Sequence, residues 1–207
     1  LIAGRYAILR EIGRGGMGAV YEAANCVTEV RSALKVILPE VNATTDQERR
    51  FIREVKVGAL LQHRNLVSAY DAGKDGDWLF MVMELLRGES LADRLARCGR
   101  LSLSKSVRIL VPCMRGMARA HEAGIIHRDL KPANLFLCEP EDDSQEEQPK
   151  VLDFGVLASG GLPGVDTWVS SRGLVLGTPP YMCMEQLRGD PATPQFDIHA
   201  FGVLLYQ

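Results

Sequence analysis

No run of about 18 or more apolar residues occurs in the 207-residue sequence, so no stretch has the length of a membrane-spanning helix. The opening Leu1-Ile-Ala-Gly-Arg-Tyr6 lacks a basic stretch followed by a long apolar one, and so carries no sign of a secretory leader. C-x-x-C spacing is missing as well. The five cysteines (Cys26, Cys98, Cys113, Cys138 and Cys183) are odd in number and scattered. That argues against a zinc site or a disulfide framework, and for reduced thiols acting as small apolar residues in a cytoplasmic setting. A surplus of one charge is also absent: 24 Lys and Arg against 26 Asp and Glu leave a net −2. So flat a balance gives no reason to name nucleic acid or an anionic membrane as partner. There is no internal repeat. With 46% hydrophobic and 24% charged residues, the composition excludes a disordered or collagen-like chain. The length suits one large domain or two small lobes.

The patterning changes character near Gly88. Before it, residues 5–12 and 19–24 flank a glycine-rich turn and predict a β-hairpin, and residues 33–38 a third strand closed by Pro39. Thr45 with Glu48 reads as a capping box opening a helix to about Leu61. Residues 66–72 and 78–83 predict two more strands, joined by a turn at Gly73–Gly76. After Gly88 the period is helical: Ser90 to Cys98, then Ser104 to about His121. In the longer helix Val107, Leu110, Val111, Met114, Met117 and Ala118 are expected on one face, Pro112 to kink it and Gly124 to end it. Residues 139–150 are acidic and bounded by proline, which predicts a solvated loop, or more sharply a lure for a basic partner. Residues 156–180 are rich in Gly, Ser and Pro and predict a long mobile segment. An apolar run from Ile198 to Tyr206 closes the chain.

Four stretches carry chemistry. Gly13-Arg-Gly15-Gly-Met-Gly18 lets backbone approach a phosphate without Cβ atoms in the way. A dinucleotide-binding turn would need a helix immediately afterwards. Ala19-Val-Tyr-Glu-Ala reads as strand, which favours a flap over phosphates. Lys35 sits in an apolar strand and calls for a counter-charge, for which Glu54 is the candidate. His127-Arg128-Asp129-Leu-Lys131-Pro-Ala-Asn134 places a carboxylate, an ammonium and an amide within six residues. That set can accept a hydroxyl proton, neutralise a phosphate and coordinate Mg²⁺. Asp153-Phe154-Gly155 adds a hard oxygen ligand.

Together with Arg5-Tyr6 and Leu176-Gly-Thr-Pro-Pro-Tyr181-Met, these stretches resemble the eukaryotic-like (Hanks-type) protein kinases, and among them the bacterial serine/threonine kinases. The resemblance implies an α+β bilobal fold: an antiparallel-sheet N-lobe with one helix at 1–86, and a mainly helical C-lobe at 87–207. It implies Mg-ATP as cofactor and serine or threonine hydroxyls of proteins as acceptors. Gly13, Gly15 and Gly18 would cover the phosphates, Val20 and Ala33 lie above adenine, and Phe136 below it. Met83 would stand behind adenine, with the backbone of Glu84 and Leu86 along its edge. Lys35, oriented by Glu54, would hold the α/β-phosphates. Asn134 and Asp153 would bind Mg²⁺, Asp129 would orient the acceptor hydroxyl, and Lys131 would meet the transferring phosphoryl.

The same resemblance makes Arg128 the partner of a phosphate at Thr167, Ser170 or Ser171, placed there by the enzyme itself through self-association. Three departures stand out. Cys183-Met184-Glu185 replaces the family's Ala-Pro-Glu, and an acidic insertion separates Asn134 from Asp153. The chain also ends inside the helix carrying Asp197, which predicts missing C-lobe helices and an exposed apolar patch from Ala200 to Tyr206, with any membrane anchor of a parent protein outside this range. The rival readings are a non-catalytic kinase-like binding or scaffold module, whose marker would be loss of Lys35, Asp129, Asn134 or Asp153, an inactive fragment, and a small-molecule kinase, against which the Thr178–Glu185 stretch argues.

Overall fold

Short alternating apolar stretches between glycine-bearing turns build the first half of the molecule, and 3.6-residue periodicity builds the second. The computed structural model describes residues 1–15, 18–37, 61–140, 146–152 and 178–207. The chain divides into two units, one from Leu1–Gln62 and Ser68–Leu86, the other from His63–Val67 and Arg87–Gln207.

The first unit holds β1 (Tyr6–Gly15), β2 (Gly18–Asn25), β3 (Arg31–Ile37), β4 (Ala69–Asp75) and β5 (Trp78–Met83). They form one antiparallel sheet in the order β1-β2-β3-β5-β4. The expected first hairpin is β1–β2, with pairing that runs to Gly15 opposite Gly18. Residues directly opposite share a face. One face therefore carries the core of Tyr6, Ala23, Leu34, Phe80 and Val82. The Tyr6 hydroxyl donates to Asp71 Oδ2 at 2.6 Å, and burial together with this bond pushes the phenol up to about 12. Two expectations shift here. The fourth strand starts at Ala69, not at residue 66, and its turn is Gly76–Asp77. Gly73 lies inside β4 because the Phe80 ring needs its space: a Cβ there would meet the ring at 3.0 Å.

The second unit holds β6 (Gly88–Ser90), α1 (Leu91–Cys98), α2 (Leu103–Glu122), β7 (Leu135–Cys138), β8 (Gln148–Val151), α3 (Met184–Arg188) and α4 (Pro194–Tyr206). Strands β6, β7 and β8 form a small antiparallel sheet. Ser90 caps α1 and forms a capping box with Asp93. Gly124, at φ +77°, takes the left-handed turn after α2, with Ile125 N–H returning to Ala120 O at 3.0 Å. The buried face of α2 is Ile109, Leu110, Cys113, Gly116, Met117 and Ala120. That corrects the expected stripe: Val107, Val111, Met114 and Ala118 are exposed. The close approach is made at Gly116, where a Cβ would come 2.7 Å from Leu66, and this rotates the helix about one position from the all-apolar stripe. Helix α2 runs continuously through Pro112. In α4, Phe196, Ala200, Phe201 and Leu204 are buried, so the expected apolar patch reduces mainly to Leu205 and Tyr206, with Ile198 exposed outside it. The acidic insertion joins β7 to β8, but Gln148–Lys150 is strand, and Glu146 and Glu147 pair with Arg108 at 2.9 Å and Arg94 at 2.5 Å. Cys113 and Cys183 are buried as small apolar residues should be, whereas Cys26 and Cys98 are exposed.

Gly88 is where β6 meets β7 too closely for any side chain. Its φ is +139°, and a Cβ would stand 2.0 Å from Leu137 O. Gly88→Ala is expected to cost at least ~2 kcal/mol. Gly99→Ala, also at positive φ but in open space, carries the backbone strain without the clash and should cost less. Thermal melts of the two variants check the difference, and equal midpoints would refute the clash.

Candidate active site

The polar stretch between α2 and β7 is held by buried groups far away in sequence. His127 is fully buried and lies 2.7 Å from Leu152 O through Nε2. A carbonyl only accepts, so Nε2 carries the hydrogen and Nδ1 is left to accept Asp129 N–H, at 3.3 Å. Asp197, on α4 and 1% exposed, accepts the N–H of His127 at 2.9 Å with Oδ2 and that of Arg128 at 2.8 Å with Oδ1. His121 Nε2 adds a third donor to Asp197 Oδ2 at 2.8 Å. Gln186, on α3 and 5% exposed, donates Nε2–H to Arg128 O at 2.7 Å. Between these grips Arg128 sits at φ +69°, a left-handed conformation that disfavours residues with a Cβ.

Asp129 follows at the half-exposed centre of the site. Its Oδ1 accepts the Thr178 hydroxyl at 2.9 Å, and its Oδ2 pairs with Lys131 Nζ at 2.8 Å. Lys131 also donates to Thr178 Oγ1 at 2.9 Å. Asn134 Nδ2 donates to Asp129 O at 2.7 Å and lies 3.3 Å from Oδ2. With its amide nitrogen committed to Asp129, Asn134 keeps its carboxamide oxygen as the end with donor capacity for a hard cation. Pro132–Asn134 form a 3₁₀ turn, and Leu152 N–H bonds Asn134 O at 2.8 Å, which ties the turn to the end of β8.

In the first unit the register gathers another group of the singled-out residues. Gly13 opposes Val20, Val20 opposes Lys35, and Lys35 opposes Met81. Ala33 opposes Met83. Gly13, Val20, Ala33, Lys35 and Met83 thus share the sheet face opposite the Tyr6–Phe80 core. Gly18 lies at φ +148° beside Gly15, where the two strands meet. Glu84 is bound by Ser68 on both sides: its N–H donates to Ser68 O at 3.0 Å, and its carboxylate accepts Ser68 N–H at 2.7 Å. Leu86 follows in the stretch between β5 and β6. In the second unit Phe136 is half-buried on β7, opposite Ser90 and Lys150.

Glu54 and Asp153 lie outside the described residues, as do the expected helix from Thr45 and the loop bearing Thr167, Ser170 and Ser171. Among the described residues no cluster of three His, Cys, Asp or Glu could hold a metal. Sequence reasoning missed two groups. Gln186 turns inward while its neighbour Glu185 faces out, where its own amide and the Cys183 thiol hold its carboxyl below the usual range. Glu22, on the Lys35 face, is buried between Arg10 and Arg31 at 2.7 and 2.8 Å, which lowers its carboxyl too, Arg31 first. No local pattern announces either, because each depends on partners from other elements.

Comparison with known proteins gives one consistent result. The protein kinase domain family model matches residues 6–207. Serine/threonine-protein kinase pkn2 of Myxococcus xanthus is 37% identical over 207 residues, covering all of this chain and 24% of that protein. Serine/threonine-protein kinase PknA of Mycobacterium tuberculosis is 35% identical over 212 residues, covering all of this chain and 47% of its own. The chain therefore spans about a quarter of the length of the first of these relatives and about half of the second. The crystal structure of the Mycobacterium tuberculosis PknI kinase domain superposes with a TM-score of 0.77 at 25% identity, over 99% of this chain and 73% of that one.

Proposed function

We propose, for a chain that belongs to the protein kinase domain family, that it transfers the γ-phosphoryl group of ATP to serine and threonine hydroxyls of proteins. The observation that carries this reading is the carboxylate of Asp129, held between Lys131, Thr178 and Asn134 yet open to solvent on its remaining side. In that position Asp129 aligns the acceptor hydroxyl and takes its proton, while the ammonium of Lys131 faces the charge on the transferring group. Asn134, through its carboxamide oxygen, and Asp153 are the residues that would hold magnesium. When bound, the ion neutralises charge between the phosphates. The glycines at 13, 15 and 18 give the phosphates a backbone flap, with Lys35 and its counter-charge Glu54 on the α/β-phosphates. Val20, Ala33 and Met83 on the sheet, with Phe136, line adenine. Since the Glu84 N–H is taken by Ser68, its carbonyl, together with the backbone of Leu86, serves the adenine edge. Residues 1–86 and 87–207 are the two lobes of this reading. Phosphorylation of the 156–176 loop, answered by Arg128, is its mode of activation, and two copies meeting is the route to it.

Chemistry at Asp129 also sets the acceptor. Thr178, bonded to both Asp129 and Lys131, narrows the approach to the carboxylate. Incubation with γ-labelled ATP, magnesium and a generic basic protein, followed by phosphoamino-acid analysis, tests the proposal. Label on serine and threonine is expected. Label on tyrosine alone, or none from a protein that binds ATP, would refute it. Among the described residues no helix is long and apolar enough to cross a membrane.

A further inference from the structure

Arg128 is the one buried residue among the described non-glycines with positive φ; Ala3 and Glu29, the others, lie in turns of the first unit. A strained backbone persists when its surroundings hold it. Its amide hydrogen goes to Asp197 on α4, and its carbonyl to Gln186 on α3. The carbonyl side is the informative one, because the peptide linking Arg128 to Asp129 is the last rigid unit before the carboxylate. The segment that supplies Gln186 also supplies Thr178, whose hydroxyl reaches Asp129 Oδ1 at 2.9 Å. Residues 178–188 therefore grip two consecutive residues of the loop, one by its carbonyl and the next by its side chain. Helix α3 is only five residues long, and its end is fixed by Gly189 in the left-handed conformation, with N–H groups returning to Gln186 O at 3.2 Å and, from Asp190, to Glu185 O at 3.0 Å.

We propose that Gln186 is a positioning residue for phosphoryl transfer: its side-chain amide, bonded to the Arg128 carbonyl, locks the Arg128–Asp129 peptide and so couples the placement of the 178–188 segment to the aim of the Asp129 carboxylate. This rests on the kinase reading above. Gln186 acts through Arg128, whose carbonyl its side-chain amide reaches at 2.7 Å. Loss of the amide donor leaves a buried carbonyl without its partner and frees the peptide to rotate out of the left-handed region.

Gln186→Met keeps length and buried volume but removes the donor. Gln186→Glu keeps the shape and places an acceptor against an acceptor. Both are compared with the unaltered protein for kcat, for KM of Mg-ATP and for the ¹⁵N amide shift of Asp129. The expected result is a fall in kcat of tenfold or more in both variants, KM for ATP within about twofold, unchanged far-UV circular dichroism, and a displaced Asp129 amide resonance. A folded Met variant with unchanged kcat would overturn the proposal, and so would an Asp129 resonance that stays in place. If the Met variant does not fold, the same two readings on the Glu variant decide. If the unaltered protein transfers no phosphate, the kinase reading fails, while the Asp129 resonance still judges the grip of Gln186.

Discussion

Asp129→Asn is expected to lower phosphoryl transfer about 10³-fold while the protein stays folded and still binds nucleotide. The size follows from what general-base and orienting groups contribute, roughly 10²–10⁴ in rate. The selectivity follows from the geometry. An asparagine keeps an oxygen for the Thr178 hydroxyl, now at 2.9 Å from Asp129 Oδ1. Its other arm becomes an NH₂ group aimed at Lys131 Nζ, which at present lies 2.8 Å from Oδ2, so donor faces donor. Lys131 must turn away, and the loss falls on kcat, because no residue of the first unit is touched. The Asp129–Lys131 pair is about 30% exposed on both sides, so breaking it should change stability little. Single-turnover transfer from labelled ATP, set beside binding of a non-hydrolysable analogue, checks both halves. Equal labelling by the two proteins would mean that another group takes the proton.

How much of this was legible beforehand depends on whether the cause is local. The β1–β2 hairpin was legible because glycines 13, 15 and 18 sit between two alternating stretches, and the absence of a helix after Gly18 already separated a flap from a dinucleotide-binding turn. The capped start of α1 and the glycine end of α2 were legible for the same reason. Asp129, Lys131 and Asn134 were legible as a set because five positions of sequence bring them together in one turn. The face of α2 was misread because Val111 and Met114 look apolar on a wheel, whereas the tight packing of Gly116 on Leu66 decides which side turns in. Strand β4 began late because Leu66 and Val67 pair with Val151 at the end of β8, in the second unit, rather than extending the first sheet. Gln186, and the bond made by the already singled-out Asp197, were hidden for the deepest reason: their partner, the backbone of Arg128, is 58 and 69 residues away, and no periodicity records a bond to a main-chain group.

Asp197→Ala is expected to be the most damaging single change to the described site, lowering stability by about 3–5 kcal/mol and abolishing transfer with it. Asp197 is 1% exposed, and its two oxygens accept from three groups: the N–H of His127, the N–H of Arg128 and Nε2 of His121. Truncation leaves two main-chain N–H groups and a ring N–H buried beside an empty space, each worth roughly 1–3 kcal/mol when unpaired. For a chain of 207 residues that corresponds to a midpoint about 10–15 °C lower. The activity loss has its own cause. With its N–H released, Arg128 loses one of the two main-chain bonds that hold it at φ +69°, and the Asp129 carboxylate shifts with the peptide. Asp197→Asn separates the two effects. It retains one acceptor, which can serve the Arg128 N–H, while its NH₂ opposes His127 and His121, so about half of the stability loss is expected, with transfer reduced and still measurable. Circular-dichroism melts of both variants, with rates taken well below the lower midpoint, read the two quantities independently. An alanine variant that melts with the unaltered protein would show that the buried carboxylate is not what holds the loop in its left-handed turn.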